Sequence, residues 1–197
     1  MSGQKRPYRM QRRAELEEQT RRRITESTVE LHGTVGPAKT SVTAVAERAG
    51  VRRSTVYRHF PDEAALFAAC SAHWRAANPP PDLERWAAVA DPDERLRSAL
   101  AEQYRYYRST EGMMANLLRD SATVPIVGEL LGRYRGYLEA ARGVLMAGRS
   151  VRGGARRRTK AAIGHALAFT TWRSLAREQE LDDAPAAQLM CRLVEAA

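Results

Sequence analysis

Residues 40–67 read TSVTAVAERAGVRRSTVYRHFPDEAALF, and this stretch decides the fold of the N-terminal part of the chain. Its first half has apolar residues at the i, i+3, i+4, i+7 spacing of one helix face: Val42, Val45, Ala46 and Ala49. Thr40 or Ser41 would cap this helix, and Gly50 stands where helices commonly end in a left-handed residue. The pattern predicts a helix, a tight turn and then a second helix over VRRSTVYRHF.

The second helix of this pair has little apolar surface and many hydrogen-bond donors. On a helical wheel Val56 and Phe60 fall on one side, which we expect to be buried. The opposite arc has short side chains in its centre and long donors at its edges: Ser54, Thr55 and Arg58, flanked by Arg52, Arg53, Tyr57 and His59. Small residues allow close approach to base edges, arginine can pair with guanine, and the flanking donors can reach phosphates. The face therefore suits the major groove of DNA, although a merely solvated helix face is the simpler alternative.

The spacing of Ala46, Gly50 and Val56 is typical of a helix-turn-helix, in which a small residue lies at the helix crossing and glycine forms the turn. Together with Gly36 and the Ile24 to Leu31 spacing before it, the stretch resembles the DNA-binding signature of the TetR/AcrR family of bacterial transcriptional regulators. The resemblance covers roughly residues 20–70. It implies an N-terminal three-helix DNA-binding domain and a C-terminal helical domain that binds a small molecule and dimerises.

The resemblance also implies roles for individual residues. The positions that match base-reading residues are Arg53, Ser54, Thr55 and Arg58, with Thr43 in some relatives. The positions that match phosphate contacts are Thr40, Ser41, Tyr57 and His59. Two positions depart from the family pattern, because Arg52 replaces a usual serine cap and Glu63 replaces a usual phosphate-binding lysine. Basic residues nearer the N-terminus would compensate for Glu63: Arg9, Arg12, Arg13 and the Arg21–Arg23 run.

The net charge of +9 indicates an anionic partner. The distribution of the charged residues along the chain indicates which region binds this partner. Residues 1–60 hold 13 Lys/Arg against 6 Asp/Glu, whereas residues 61–197 hold 19 against 17. Double-stranded DNA is therefore the expected partner of the N-terminal region. No apolar run is long enough for a membrane span, the N-terminus lacks the apolar segment of a signal peptide, and two distant cysteines fit a reducing compartment. We expect a cytoplasmic protein that does not contact a membrane.

The pattern along the rest of the chain is helical, with no strand signal, and predicts an all-α fold of about nine helices. We predict a disordered basic arm over 1–14, a helix-turn-helix domain over 15–68 and a ligand-binding and dimerisation domain over 69–197. The NPPPD segment at 78–82 is the clearest break. Outside residues 40–67 the predicted helices cover 15–31, 92–109, 111–120, 125–147, 155–179 and 184–196.

The last two helices are candidates for a dimer interface. Ala161 to Trp172 is apolar nearly all round, which requires burial on two sides. Gly164 and Ala168 would allow close helix approach, and the final helix has an apolar stripe that includes Leu189 and Leu193. Pairing with a second copy would cover both surfaces, and the family resemblance implies the same homodimer. Its two recognition helices would then lie roughly 34 Å apart on a palindromic site.

Candidates for the pocket of an unknown small-molecule effector are aromatic and flexible residues of the middle helices: Trp74, Tyr104, Tyr107, Met113, Met114, Leu117, Tyr134, Phe169 and Trp172. Each of them would equally suit an ordinary core. His165 is either a polar group of the pocket or a satisfied core or interface histidine.

An enzyme is the less favoured reading of the sequence. The histidines are scattered without ligand spacing, so no metal or cofactor site is expected. In the Gly153 to Lys160 segment the second glycine is in the wrong place for a phosphate loop, and no strand precedes it. The sequence thus predicts a ligand-responsive DNA-binding regulator, most often a repressor, that binds a palindromic operator as a homodimer. The alternatives are a constitutive or architectural DNA-binding protein without a ligand, and a basic helical enzyme.

Overall fold

The computed structural model describes the backbone of residues 5–197 and the side chains from Met10 onward. Its helices are α1 Lys5–Thr34, α2 Val42–Ala49, α3 Arg53–His59, α4 Glu63–Ala77, α5 Leu83–Ala87, α6 Pro92–Asp120, α7 Pro125–Met146, α8 Gly153–Ala166, α9 Phe169–Arg173 and α10 Asp183–Glu195. A 3₁₀ turn precedes α2 and a π turn follows α9. No residue in 5–197 is in a strand, and the predicted all-α class is confirmed.

The chain divides into two compact units. The N-terminal unit contains the residues up to Pro79 together with Ala115–Val127, and the C-terminal unit contains Pro80–Met114 and Gly128–Ala197. The first boundary falls inside the proline-rich segment. Because α6 and α7 extend across the other two boundaries, the last turns of α6 belong to the N-terminal unit.

The core of the N-terminal unit is formed by one side of each of the first four helices. Its buried apolar residues are Ile24, Val42, Val45, Ala46, Ala49, Val56, Phe60 and Leu66. On α1, Thr28 is buried and Leu31 is half-buried, as the helical spacing predicts, whereas Leu16 is 56% exposed. The part of α1 that precedes Ile24 therefore contributes little to this core.

The structure differs from the prediction of a disordered arm, because α1 begins at Lys5 and residues 5–14 are helical. Two i, i+4 pairs connect this segment to the rest of the helix. Arg13 Nε lies 3.1 Å from a carboxylate oxygen of Glu17, and the Gln11 amide donates to Glu15 at 3.3 Å. Residues 1–4 and the side chain of Arg9 lie outside the described residues.

Helix α6 is continuous where two helices were predicted. The first predicted helix ended at about Ser109 and the second began at Glu111. Serine and threonine hydroxyls at such positions can compete with helical hydrogen bonds. The hydroxyls of Ser109 and Thr110 instead donate back to the carbonyl of Tyr106, at 2.9 Å and 2.6 Å, and the helix continues.

The helix predicted over 155–179 is interrupted, because α8 ends at Ala166 and α9 begins only three residues later. Such a break leaves carbonyls without their intrahelical partners. The hydroxyl of Tyr104 donates to the Ala166 carbonyl at 3.0 Å, and that of Tyr107 donates to the Leu167 carbonyl at 2.6 Å. Tyrosines on α6 thus satisfy the backbone where α8 breaks.

Candidate nucleic-acid interface

The turn between α2 and α3 has the local geometry that the sequence predicts. Gly50 is left-handed, with φ 64° and ψ 39°, and its N–H donates to the Glu47 carbonyl at 3.1 Å. The N–H of Val51 donates to the carbonyl of Ala46 at 3.0 Å, which closes the end of α2. At the other end, the Ser41 hydroxyl accepts from the Ala44 N–H at 3.1 Å, so Ser41 is the cap.

Helix α3 has one buried side and one open side. Val56 and Phe60 are each 1% exposed and fix the helix in the core of the N-terminal unit. The predicted DNA-facing residues lie outside this core: Arg52, Arg53, Ser54, Tyr57 and Arg58 are exposed, and Thr55 and His59 are half-buried. On the segment before α3, Ser41 and Thr43 are exposed and Thr40 is half-buried.

The centre of the open side is free for an external partner. Among the described residues, the side chains of Ser54, Thr55 and Arg58 make no hydrogen bond within the chain. At the edge, Arg53 donates to the Tyr57 hydroxyl at 3.2 Å, and this hydrogen bond raises the pKa of Arg53. The Arg53 guanidinium also lies 5.5 Å from the centre of the Tyr57 ring, so the two side chains hold each other in place.

Arg21 of α1 positions the end of α3, a role that sequence reasoning missed. Its guanidinium donates to the His59 carbonyl at 2.7 Å and lies 4.2 Å from the centre of the Phe60 ring. The sequence did contain a signal, because Arg21 precedes the buried Ile24 by three residues and shares its helix face. Beside it, desolvation and then Arg58 and Arg21 lower the pKa of His59, whose Nε2 is buried without a partner in the described structure.

The two unusual helix starts have different consequences. Arg52 occupies the N-cap position of α3 without a side-chain hydrogen bond, whereas the Asp62 carboxylate caps α4 by accepting from the Ala65 N–H at 2.7 Å. Glu63 is exposed in the first turn of α4, where a carboxylate favours the helix dipole. Its charge contributes to the raised pKa of Arg53, so Glu63 acts electrostatically on a residue at the edge of the open side of α3.

The last turns of α6 hold the segment that leads from α1 into the helix-turn-helix; we call Asn116, Arg119 and Asp120 the α6 clasp. The Asn116 amide donates to the carbonyls of His32 and Gly33 at 2.9 Å and 3.0 Å. These carbonyls belong to the final turn of α1, where intrahelical donors are missing. The clasp therefore satisfies the C-terminal end of α1.

The other two clasp residues bind the turn after α1. Arg119 donates to the Val35 carbonyl at 2.8 Å, and the Asp120 carboxylate accepts from the Ala38 N–H at 3.0 Å. The Arg119 guanidinium also lowers the pKa of Asp120, with a further contribution from the Ala38 N–H. Gly36 lies against both groups with φ 95°, and a side chain at this position would collide with them. This explains the glycine that the sequence signature contains.

Five of the predicted effector residues form one group in the C-terminal unit, which we call the aromatic cluster: Tyr104, Tyr107, Tyr134, Phe169 and Trp172. Tyr104, Tyr107 and Trp172 are fully buried. The Tyr107 ring meets the Phe169 ring edge-on at 5.2 Å between centres, and the Tyr134 hydroxyl donates to that of Tyr107 at 3.1 Å. Burial raises the pKa of Tyr134 to about 12 and raises that of Tyr107 well above its usual value, so both stay protonated donors.

Gln103 adjoins the aromatic cluster and was not predicted, although it precedes Tyr107 by four residues and shares its helix face. It is fully buried, and its amide nitrogen donates to the Tyr134 hydroxyl at 3.2 Å. The amide oxygen is buried without a partner among the described residues. Such an acceptor is costly unless a donor reaches it.

The remaining effector candidates lie elsewhere in the two units. Met113 and Met114 are buried in the C-terminal unit. Leu117 is buried and Trp74 is half-buried in the N-terminal unit. His165 is exposed, and its Nδ1 lies 3.2 Å from the Thr171 hydroxyl.

The predicted dimer residues differ in their surroundings. Leu189 and Leu193 are each 44% exposed on α10, one turn apart. Ala168 and Gly164 are half-buried. A side chain at Gly164 would lie 3.2 Å from the Arg142 guanidinium, so this glycine makes room for an arginine of α7.

Comparison with known proteins identifies this architecture. Residues 24–70 match the family model described as bacterial regulatory proteins, tetR family. This segment therefore carries the DNA-binding signature of the TetR family. The matched residues include α2 and α3, the helix-turn-helix whose turn and caps are described above. The resemblance to the TetR family seen in the sequence is thereby confirmed for this segment.

Solved structures extend the TetR-family fold over most of the chain. A TetR-like transcriptional regulator from Rhodococcus sp. RHA1 is 20% identical, with a TM-score of 0.64 over 89% of this chain and 93% of that one. NalD, the secondary repressor of the MexAB-OprM multidrug efflux pump in Pseudomonas aeruginosa, is 22% identical, with a TM-score of 0.59 over 92% and 96%. A TetR transcription regulator from Haloarcula marismortui gives 0.59 at 15% identity over 91% and 98%. No curated protein matches the sequence.

Two further features bear on function. Within residues 5–197, no helix has both the length and the apolar character that crossing a membrane requires. In the same part of the chain, no three His, Cys, Asp or Glu side chains are grouped as metal ligands.

Proposed function

We propose that this chain is a sequence-specific transcriptional regulator of the TetR family that binds a palindromic operator as a homodimer and responds to a small molecule. The observation that carries the proposal is the open side of α3. Ser54, Thr55 and Arg58 have no hydrogen-bond partner among the described residues, while Val56 and Phe60 anchor the same helix. Donors held on a fixed helix without an internal partner are suited to base edges.

Repression is the proposed direction of regulation: the operator-bound dimer would block transcription until a ligand releases it. The solved relative NalD is described as a repressor. Dimerisation is supported by Leu189 and Leu193, which expose apolar surface one turn apart on α10.

The response to a ligand would act through α6. This helix contributes Tyr104 and Tyr107 to the aromatic cluster, and its last turns form the clasp on the segment before α2. A ligand that favours one position of α6 over another would therefore change the affinity for DNA, through a coupling of about 1–3 kcal/mol. The unpartnered Gln103 oxygen would accept a donor from such a ligand.

Selection of binding sites from random double-stranded DNA, at fixed salt concentration, tests the DNA-binding proposal. We expect a palindromic motif whose half-sites are about one helical turn apart, and native mass spectrometry of the complex should give two chains per duplex. Affinity should fall steeply with salt, because phosphate contacts release counterions. Recovery of no motif, or of a motif bound by a single chain, would overturn the proposal.

A regulator that needs no ligand is the second candidate, and one observation favours it. Tyr104, Tyr107 and Trp172 fill the aromatic cluster with fully buried side chains, and the tyrosine hydroxyls are already bonded to the backbone. A screen of small apolar molecules for release of DNA from the operator complex distinguishes the two candidates. Release of DNA by any of them supports the ligand-responsive regulator, whereas a complex insensitive to all of them favours the constitutive one.

A further inference from the structure

The C-terminal unit contains a basic cleft that has no place in the function proposed above. It has a volume of about 400 Å³ and lies between the end of α7, the following turn and α8. Its charged lining consists of Arg142, Arg149, Arg156, Lys160 and Glu139. Four cations and one carboxylate give the cleft a clear positive excess, although the unit as a whole is nearly neutral.

Only part of this charge is neutralised within the chain. The Arg149 guanidinium donates to the Asp93 carboxylate and to the Pro92 carbonyl, both at 2.8 Å, and is therefore held in one position at the side of the cleft. Glu139 pairs with Arg142. In the described part of the chain, Arg156 and Lys160 have no carboxylate within ion-pair distance. The cleft thus presents two free cations beside a fixed one.

Arg142 adds a buried donor. Its Nε is buried and has no hydrogen-bond partner in the described residues, although the guanidinium tip reaches Glu139. Gly164 allows this position, since a side chain there would press on Arg142 at 3.2 Å. A buried guanidinium N–H without a partner costs free energy unless an acceptor reaches it.

The charges near the start of α8 destabilise this helix, and a bound anion would offset the destabilisation. Helices favour acidic residues near the N-terminus, but α8 has none in its first turn, and Arg152 at the N-cap makes no side-chain bond. Arg156 and Lys160 are four residues apart on one face, where like charges repel. A bound anion would relieve this repulsion.

We propose that the cleft binds a small polyanion that carries a phosphate or pyrophosphate group. Arginine forks and a lysine ammonium are the groups that proteins use for such anions. The volume is within the range of small-molecule sites, and Glu139 would disfavour a ligand that extends anionic charge toward the end of α7. This inference does not depend on the proposed DNA binding, because none of the cleft residues belongs to the N-terminal unit.

Isothermal titration of the full chain with inorganic pyrophosphate tests the proposal. Arg58→Gln serves as the background, so that binding at α3 does not contribute to the signal. We expect one pyrophosphate per chain, and weakening by at least about fivefold in R156Q and in K160Q. Arg157→Gln is the matched control: Arg157 is an exposed neighbour on α8 that does not line the cleft, and its loss removes the same charge. It should change affinity by less than about twofold.

The other outcomes overturn the proposal. An equal loss in R157Q would mean that only net charge attracts the anion. Absence of saturable binding to the wild-type cleft would also exclude the site. If R156Q or K160Q instead lowers the dimer fraction in native mass spectra while pyrophosphate has no effect, the cleft holds a carboxylate of a second chain. Titration with inorganic phosphate distinguishes a site for one phosphate group from a site for pyrophosphate. A site for one phosphate group binds both anions with similar affinity.

Discussion

Helix α3 and the aromatic cluster both depend on hydroxyl and other donor groups, but they place them in opposite settings. On α3 the donors of Ser54 and Arg58 are exposed and make no bond within the described chain. In the aromatic cluster, Tyr104 and Tyr107 are fully buried and their hydroxyls donate to backbone carbonyls. The donors on α3 remain available for hydrogen bonds to a partner, whereas the hydroxyls in the aromatic cluster form hydrogen bonds that stabilise the fold. Substitutions in the two regions should therefore separate affinity from stability.

Arg58→Ala should give the largest effect on DNA binding. We expect a loss of about 1–3 kcal/mol at one base pair of the selected operator, because a guanine contact would disappear. The free energy of unfolding should change by less than about 0.5 kcal/mol, since Arg58 is exposed and bonded to nothing in the described residues. Fluorescence anisotropy with operator variants and urea denaturation measure the two quantities.

Tyr57→Phe is the control for that experiment. Its hydroxyl is at the edge of the open side, where we expect a phosphate contact, so affinity should fall alike for all sequences. If Arg58→Ala also lowers DNA affinity equally for all sequences, the proposed difference between base contacts at the centre of α3 and phosphate contacts at its edge is wrong.

Tyr107→Phe should show the reverse behaviour. The change leaves the Leu167 carbonyl without a donor and the Tyr134 hydroxyl without its acceptor, which should lower the free energy of unfolding by about 1–2 kcal/mol. Tyr106→Phe is the matched control, because the Tyr106 hydroxyl makes no hydrogen bond among the described residues. DNA affinity of the folded protein should stay unchanged in both. Equal unfolding curves for the two variants would contradict the role given to Tyr107.

The same contrast explains what could be predicted from the sequence. The helix-turn-helix depends on neighbours along the chain: the Ser41 cap, the left-handed Gly50 and the pairing of Val56 with Phe60 on one face. Its elements and its open side were therefore predictable. The assignment of Arg21 to a phosphate-binding run was incomplete, because its contact with His59 joins residues 38 positions apart.

The C-terminal half was harder to predict for a related reason. The break after α8 contains neither glycine nor proline and depends on tyrosines about 60 residues earlier. The α6 clasp likewise joins residues more than 80 positions apart. Local patterns give the helices of this region, but the groups that interrupt or hold them come from distant parts of the chain.

Glu63→Lys should give the smallest effect and should sharpen the description of α3. Glu63 is exposed at the start of α4, where the resemblance expects a lysine that touches phosphate. Reversal of the charge should raise DNA affinity by up to about 1 kcal/mol and make the salt dependence steeper by about one phosphate contact. The gain should be alike for all operator sequences, since a phosphate contact does not identify bases.

Glu63→Gln separates the two contributions of the charge reversal. It removes the repulsion between the carboxylate and the DNA backbone without adding a cation, so it should raise affinity less than lysine and leave the slope with salt nearly unchanged. Both variants should lose about 0.3–1 kcal/mol of stability, because the carboxylate favours the dipole of α4. If neither variant changes DNA affinity at low salt, Glu63 lies away from the backbone, and the edge of the DNA-facing surface ends at Arg53 and Tyr57.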